Sequence, residues 1–261
     1  MTMQTFTLAS WNVNSLPVRA PQILTWLEDN SIDVLAVQET KVTDDKFPHQ
    51  LFTDLGYHIA YSGQKTYNGV AFISRLPLTD IWIESSDILE RRIIAATIQD
   101  ARVINLYVPN GSTPSSDKYL YKLSWLERVT KWIETELQRY PKLAVVGDFN
   151  IAPYDIDVHD PLEWVDCVLC SPQERTALAR MQALGLLDSF RELNPELQTY
   201  SWWDYRAASF RRNRGLRIDL ILLSQALQAC CIETGIDPLP RKSERPSDHA
   251  PVWATLKTKA L

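Results

Sequence analysis

The feature that most constrains this chain is a phrase it spells twice. Residues 6–10 read as a strand that leads into the amide-bearing Trp11-Asn12-Val13-Asn14-Ser15. Pro21 then opens a helix with Ile23, Leu24 and Leu27 on its apolar face, and the run 32–38 ends at Glu39. The same order returns as a strand over 103–108, the loop Pro109-Asn110-Gly111 and a helix over 118–139, with Leu123, Leu126, Val129, Ile133 and Leu137 at helical spacing. It closes on Leu143-Ala144-Val145-Val146, which stops at Gly147-Asp148-Phe149-Asn150. Strand, loop, helix, strand is a βαβ-like unit, and uniformly apolar strands of this kind are central and buried on both faces. The pseudo-repeat brings Glu39 and Asp148 to equivalent strand ends, where they predict a shared crevice. Residues two apart in extended backbone point to one side, so Asp148 and Asn150 form a pair, as do Asn12 and Asn14. One member can take a proton from water while the other holds that water or a phosphate oxygen. An isolated Asp-x-Asn would read as a solvated Asx turn; the repetition argues against it here.

The 261 residues suffice for a large core, in one large domain or two small ones, and no low-complexity linker or composition break divides them. One domain over 1–261 is therefore expected. Hydrophobic residues at 45% and charged residues at 23% make an ordinary globular composition rather than a disordered one. A formal net charge of −5 excludes a generally basic nucleic-acid coat, so any grip on phosphate must come from a local patch or a metal. No apolar stretch approaches the roughly 18 residues that span a bilayer. Residues 1–5 lack a basic leader and run straight into a strand, from which a cytoplasmic protein without a signal peptide is expected. The cysteines form a C-x-x-C at Cys167 and Cys170 and an adjacent pair at Cys230 and Cys231. Vicinal cysteines do not easily supply two ligands of a zinc site, so all four read as small apolar side chains.

The remaining segments are mostly strands. Residues 67–74 are a turn and a strand, 92–98 and 102–108 form a hairpin about Asp100, and 173–184 is helical. Residues 217–223 are a further strand, and 252–256 the last. Many short strands with few long helices predict stacked sheets with helices outside. Asp219 inside an apolar strand is costly unless it is paired. Asp248-His249, in a loop stiffened by Pro246 and Pro251, supplies the partner. Such a histidine can give one nitrogen to Asp219 and aim the other at substrate, with the carboxylate favouring its charged form.

Seven blocks now carry a resemblance: Trp11-Asn12-Val13-Asn14-Ser15, Gln38-Glu39-Thr40-Lys41, Tyr67-Asn68-Gly69-Val70-Ala71, Tyr107-Val108-Pro109-Asn110-Gly111, Gly147-Asp148-Phe149-Asn150-Ile151-Ala152-Pro153, Gly215-Leu216-Arg217-Ile218-Asp219 and Ser247-Asp248-His249-Ala250-Pro251. In this order they resemble the exonuclease III family of abasic-site (AP) endonucleases, nearest its bacterial branch, with Asn14 where some relatives carry Asp. The resemblance implies an α/β fold, a four-layered sandwich of two packed mixed sheets flanked by helices. It also implies a monomer that cuts double-stranded DNA at abasic sites or damaged 3′ ends, using Mg²⁺ with Mn²⁺ as a substitute. Glu39 is the expected metal ligand, since a hard cation prefers few carboxylates plus water and substrate oxygen. Asn12 and Asp248 would assist it. Asp148 is the expected general base, with Asn150 orienting the water and His249 the competing choice of base. His249, buttressed by Asp219, would bind a non-bridging phosphate oxygen, and Tyr107 and Asn110 would hydrogen-bond the phosphate.

DNA contact is expected from the stretch 206–217, which holds five arginines and no acid and follows Trp202-Trp203-Asp204-Tyr205. Arg206, Arg211, Arg212 and Arg214 would track phosphates, with Lys122, Lys118, Arg241, Lys242 and Arg245 extending the path. Trp203 reads as core. Trp202 resembles the family's abasic-pocket aromatic, and Phe210 lies where similar proteins insert a loop into the duplex. Three alternatives stay open: a 3′-to-5′ exonuclease or 3′-phosphatase with weak AP endonuclease activity, a phosphodiesterase acting on lipid or inositol phosphate, and a silent damage-binding module.

Overall fold

The computed structural model describes residues 3–84 and 90–259; Met1 and Thr2, part of the segment 1–5 from which no signal peptide is expected, lie outside the described residues. Its strands are β1 (Met3–Asn12), β2 (Val34–Gln38), β3 (His58–Ser62), β4 (Val70–Ser74), β5 (Thr79–Ile83), β6 (Ile93–Ile98), β7 (Ala101–Tyr107), β8 (Leu143–Asp148), β9 (Leu186–Asp188), β10 (Asp219–Ser224), β11 (Cys231–Ile236) and β12 (Val252–Lys259). They form two six-stranded sheets, ordered β11-β12-β1-β2-β4-β3 and β5-β6-β7-β8-β10-β9. Helices α1 (Leu16–Asp29) and α2 (His49–Thr53) accompany the first sheet. Helices α3 (Asp117–Arg139) and α4 (Pro172–Gln182) cover the second, and α5 (Ser189–Leu193) and α6 (Gln225–Gln228) are short connectors.

The doubled phrase is the skeleton of this arrangement. β1 and β2 run parallel around α1, from Leu8 opposite Val34 to Asn12 opposite Gln38. β7 and β8 run parallel around α3, ending with Tyr107 opposite Asp148. The other strand pairs are antiparallel, so both sheets are mixed. Strand alternation then builds four layers. Along β1, Phe6 and Leu8 face the other sheet while Ala9 and Trp11 face α1. Along β8, Ala144 and Val146 join the layer between the sheets, while Leu143 and Val145 pack beneath α3.

Two helices differ from the sequence reading. α1 begins at Leu16 with Pro17 in its first turn, so Pro21 lies inside the helix rather than opening it. Leu16 is fully buried beside Ile23 and Leu27, and that burial draws the extra turn into the helix despite Pro21's missing donor. The buried stripe of α3 runs through Tyr119, Lys122, Leu126, Val129 and Ile133, leaving Leu123 on a groove between α3 and α4.

A fully buried polar contact beneath the strand ends helps tie the sheets together. Asn105, on β7 and fully buried, donates from Nδ2 to the carbonyls of Val37 and Ala71 at 3.0 Å each, on β2 and β4 of the opposite sheet. Its Oδ1 accepts from Gln38 Nε2 at 2.7 Å, and that amide also reaches Ser10 Oγ at 3.0 Å. Apolar packing alone tolerates sliding; an amide bonded to three points of the facing sheet does not. Gln38 directly precedes Glu39, and Asn105 lies two residues before Tyr107, so this contact sits under the strand ends. Asn105→Leu strands buried acceptors and the Gln38 amide, so a loss of about 3 kcal/mol in unfolding free energy is expected, read from the urea midpoint at unchanged m-value. A midpoint equal to the parent's would remove the contact from any role in stability.

Candidate active site

Parallel strands β1 and β2 end side by side, as do β7 and β8, and β10 begins antiparallel beside β8 with Asp219 opposite Asp148. Asn12, Glu39, Tyr107, Asp148 and Asp219 therefore converge from both sheets onto one end of the sandwich. Local backbone sharpens the convergence. Glu39 and Asn150 sit in the left-handed region at φ 54° and 50°, turning the chain just past β2 and β8. At Gly147 (φ 143°) an added Cβ would lie 1.9 Å from the Leu106 carbonyl oxygen, so β7 and β8 can close on each other only with glycine there.

The buried amide of Asn12 joins the two acids of the pseudo-repeat. Its Nδ2 donates to Glu39 Oε1 and to Asp148 Oδ2 at 2.9 Å each. Its Oδ1 accepts from Asn14 N at 3.0 Å, so Asn12 presents nitrogen rather than oxygen to the site and orients the acids. Tyr107 donates from its hydroxyl to Glu39 Oε1 at 2.8 Å. The other Glu39 oxygen lies 2.7 Å from Lys41 Nζ, which also donates to Asn14 Oδ1 at 2.5 Å. Asn14 Nδ2 in turn donates to Asp248 Oδ1 at 2.9 Å, and Asp248 Oδ2 accepts from Trp202 Nε1 at 3.0 Å. Asp248 thus connects to Glu39 through Asn14, by way of either Lys41 or Asn12.

Asn150 is fixed on the far side of Asp148. Its backbone N–H donates to Asp148 Oδ1 at 2.9 Å and its Nδ2 to Asp148 Oδ2 at 3.2 Å, while its Oδ1 accepts from Asn110 Nδ2 at 3.1 Å. His249 Nδ1 faces Asp219 Oδ2 at 2.9 Å, and its Nε2 is 3.7 Å from Asp148 Oδ2. Ser201 Oγ donates to Asp219 Oδ2 at 2.6 Å, completing the partners that a buried acid on β10 requires.

Charge is divided unequally among these groups. Burial pushes the Asp148 carboxyl up to about 7, the His249 charge pulls it back, and Asp219 adds to the rise. Burial alone would neutralise His249, but Asp219 and Asp148 outweigh it and raise the imidazole to about 10. At neutral pH the ring is therefore an imidazolium. Burial also works against the Glu39 carboxylate, yet the Lys41 charge and the Asn12 hydrogen bond hold it below its ordinary value. Burial and the nearby Glu39 and Asp148 raise Tyr107 well above its ordinary value, so it stays a hydrogen-bond donor. The carboxylate oxygens of Glu39 and Asp148 suit a hard divalent cation; Asp148, Asp219 and His249 also lie with polar atoms within 4.8 Å of one another, but the imidazolium of His249 offers no lone pair to a metal.

The outer ring departs further from expectation. Lys122, expected on the DNA path, is fully buried, with its ammonium bonded to Glu174, and does not face solvent. Arg241 is likewise buried, its guanidinium 4.9 Å from the Phe210 ring and 5.9 Å from that of Trp203. Phe210 folds edge-on against Trp203 at 5.1 Å instead of projecting outward. Arg217, last of the five arginines, is buried between Asp157 and Asp188. Arg206, Arg211, Arg212 and Arg214 are exposed; Arg206 pairs with Asp204 and Arg214 with Glu163. Trp202 lines the rim with Trp164 edge-on at 6.3 Å. Sequence reasoning missed Lys41, though its position two residues after Glu39 was the signal. It also missed Arg92, whose guanidinium lies 4.7 Å from the Tyr107 ring and donates to the Tyr107 carbonyl.

Comparisons place this geometry among known proteins. The model of the Endonuclease/Exonuclease/phosphatase family matches residues 9–249. Exodeoxyribonuclease III of Haemophilus influenzae is 36% identical, over 95% of this chain and 98% of its own. A structure of the 3′ phosphatase NExo from Neisseria bound to product DNA hairpin superposes with a TM-score of 0.94 at 45% identity, covering 95% and 98% of the two chains. An AP endonuclease from Archaeoglobus fulgidus superposes at 0.92 with 38% identity, covering 96% and 99%. The charge state of His249 is open to direct measurement. Its ring nitrogens should stay protonated by ¹⁵N NMR until pH is near 10, and Asp219→Asn should lower that titration toward the ordinary histidine range. A parent titration near 6.5 would remove the ion pair.

Proposed function

The chain belongs to the Endonuclease/Exonuclease/phosphatase family, and from that premise we propose a DNA repair nuclease, in a single catalytic domain, that hydrolyses the phosphodiester 5′ to an abasic site. The same site would trim duplex DNA from 3′ ends. The observation that carries this reading is the Asn12 bridge between Glu39 and Asp148, with the His249–Asp219 pair across from it. Attack on an anionic diester needs positive charge and a positioned nucleophile. Asp148, poised near neutrality, takes the proton of the attacking water, and Asn150 holds both in line. His249 is already charged at neutral pH, so it serves better as the partner of a non-bridging phosphate oxygen than as the base. Tyr107 keeps its proton and can donate it to the departing 3′ oxygen. Glu39, oriented by Asn12, would hold the metal with support from Asp248, and we assign Mg²⁺, with Mn²⁺ as substitute. When bound, that ion would add positive charge against the phosphate to that of His249.

Trp202 and the exposed Arg206, Arg211, Arg212 and Arg214 would face DNA, with Asn110 meeting the phosphate. No helix among the described residues is long and apolar enough to cross a membrane; we place the protein in the cytoplasm, as a monomer. A second reading, 3′ phosphatase and exonuclease with weak AP endonuclease activity, is favoured by the 45% identity to the Neisseria 3′ phosphatase. The choice between the readings would rest on pocket shape, including the segment 164–172 and the loop 202–210, whose Trp164 and Trp202 stand edge-on to each other.

Two labelled duplexes, one with an internal abasic analogue and one intact with a recessed 3′ end, separate them. A chelator-sensitive nick 5′ of the analogue is expected; shortening from 3′ ends alone would favour the second reading, and no cutting would end both. A raised carboxyl is protonated below its pKa and cannot accept a proton. The single-turnover rate should therefore climb as pH rises through about 7 and level off below about 10, where His249 begins to discharge. A rate flat from pH 5 to 9 would exclude Asp148 as base. Asp148→Asn or His249→Ala should lower kcat by about 10²–10⁴ with modest change in KM.

A further inference from the structure

Lys122 carries a charge in the most costly place a cation can occupy, with no exposed surface, and the mechanism above makes no use of it. Its surroundings are all acceptors. Nζ donates to the Asn150 carbonyl at 2.7 Å, to the Asn110 carbonyl at 3.1 Å and to Glu174 Oε1. An ammonium has three donors and no acceptor, so this one is fully committed. Glu174 is itself immobilised, accepting from Leu169 N and Ser171 N at 3.1 Å each and from Ser171 Oγ at 2.6 Å. Gly111 lets the stem pass, since a Cβ there would lie 3.1 Å from Lys122 Cδ.

The two carbonyls belong to Asn110 and Asn150, whose side chains bond to each other while Asn150 holds Asp148 by two further bonds. We infer that Lys122 is a positioning residue of the nuclease site: from inside α3 it clamps the loops after β7 and β8, so that the Asn110–Asn150 amide pair stays aimed at Asp148 and the phosphate. This rests on the nuclease reading above. Asn150 occupies the left-handed region, which asparagine enters more readily than most residues, and the ammonium holds its carbonyl in that conformation. Stability alone is a poor reason for such a pair, because a buried ion pair is often replaceable by apolar groups without loss.

The test compares Lys122→Met/Glu174→Gln, which removes both charges, with Ser171→Ala, which loosens Glu174 but leaves the ammonium on its carbonyls. Both are assayed on the abasic duplex and followed by thermal unfolding. The double variant should lose 10- to 100-fold in kcat with KM within threefold, and Ser171→Ala should stay within twofold in kcat whatever its melting temperature. Lys122→Gln, which keeps an amide donor, should lose less, about three- to tenfold, and answers the question should the double variant not fold. A folded double variant or Lys122→Gln with parental kcat overturns the assignment, as does an equal kcat loss in Ser171→Ala. A parent that cuts neither duplex sinks the nuclease reading and the assignment with it; a parent that cuts while its variants match it sinks the assignment alone.

Discussion

Everything at the site depends on two sheets keeping one register, and the Asn105–Gln38 contact is where that register is specified. Glu39 comes from the first sheet and Tyr107, Asp148 and Asp219 from the second, yet Glu39 meets Tyr107 at 2.8 Å and is joined to Asp148 through one amide. Hydrophobic burial is non-directional and would accept a slip of an ångström between the faces. Hydrogen bonds would not. A polar side chain in the middle of an apolar layer exchanges some freedom of packing for a defined geometry two residues away.

The electrostatic pattern follows from the same convergence. Strand ends that bring three acids together must also bring compensation, and the chain supplies it unevenly. Lys41 stabilises Glu39 as a carboxylate and Asp219 stabilises His249 as a cation, which leaves Asp148 alone near the middle of its titration. Groups whose environments push them apart in this way divide the work of acid and base. Arginines show the same economy. Arg217 and Arg241 are spent inside, and the exposed four stand on a single loop beside Trp202.

Most of the fold was legible because period-two alternation and uniformly apolar runs specify strands, and the doubled βαβ phrase specifies which strands are parallel. The acids of the candidate site were legible because they end those strands. What was not legible involves partners distant in sequence. Tyr119, Lys122, Leu126, Val129 and Ile133 follow a clean helical stripe, but a lysine in that stripe reads as solvent-facing unless Glu174, 52 residues away, is known to lie against it. Phe210 and Arg241 are turned inward by each other and by Trp203, a cluster assembled from loops whose course no local pattern encodes. Pro21 misled for the opposite reason: its local rule is strong, and burial of Leu16 overrode it.

β12 pairs with β1 along its whole length, from Met3 opposite Lys259 to Ser10 opposite Val252. The first of the described strands is thus completed by the last, and His249 lies three residues before that last strand begins. A chain still leaving the ribosome has Asn12, Glu39 and Asp148 in hand but neither the closed sheet nor the imidazolium. An enzyme whose chemistry would damage DNA if loosely targeted thus completes its charge set only when two strands far apart in sequence have paired, and strand order alone imposes that dependence.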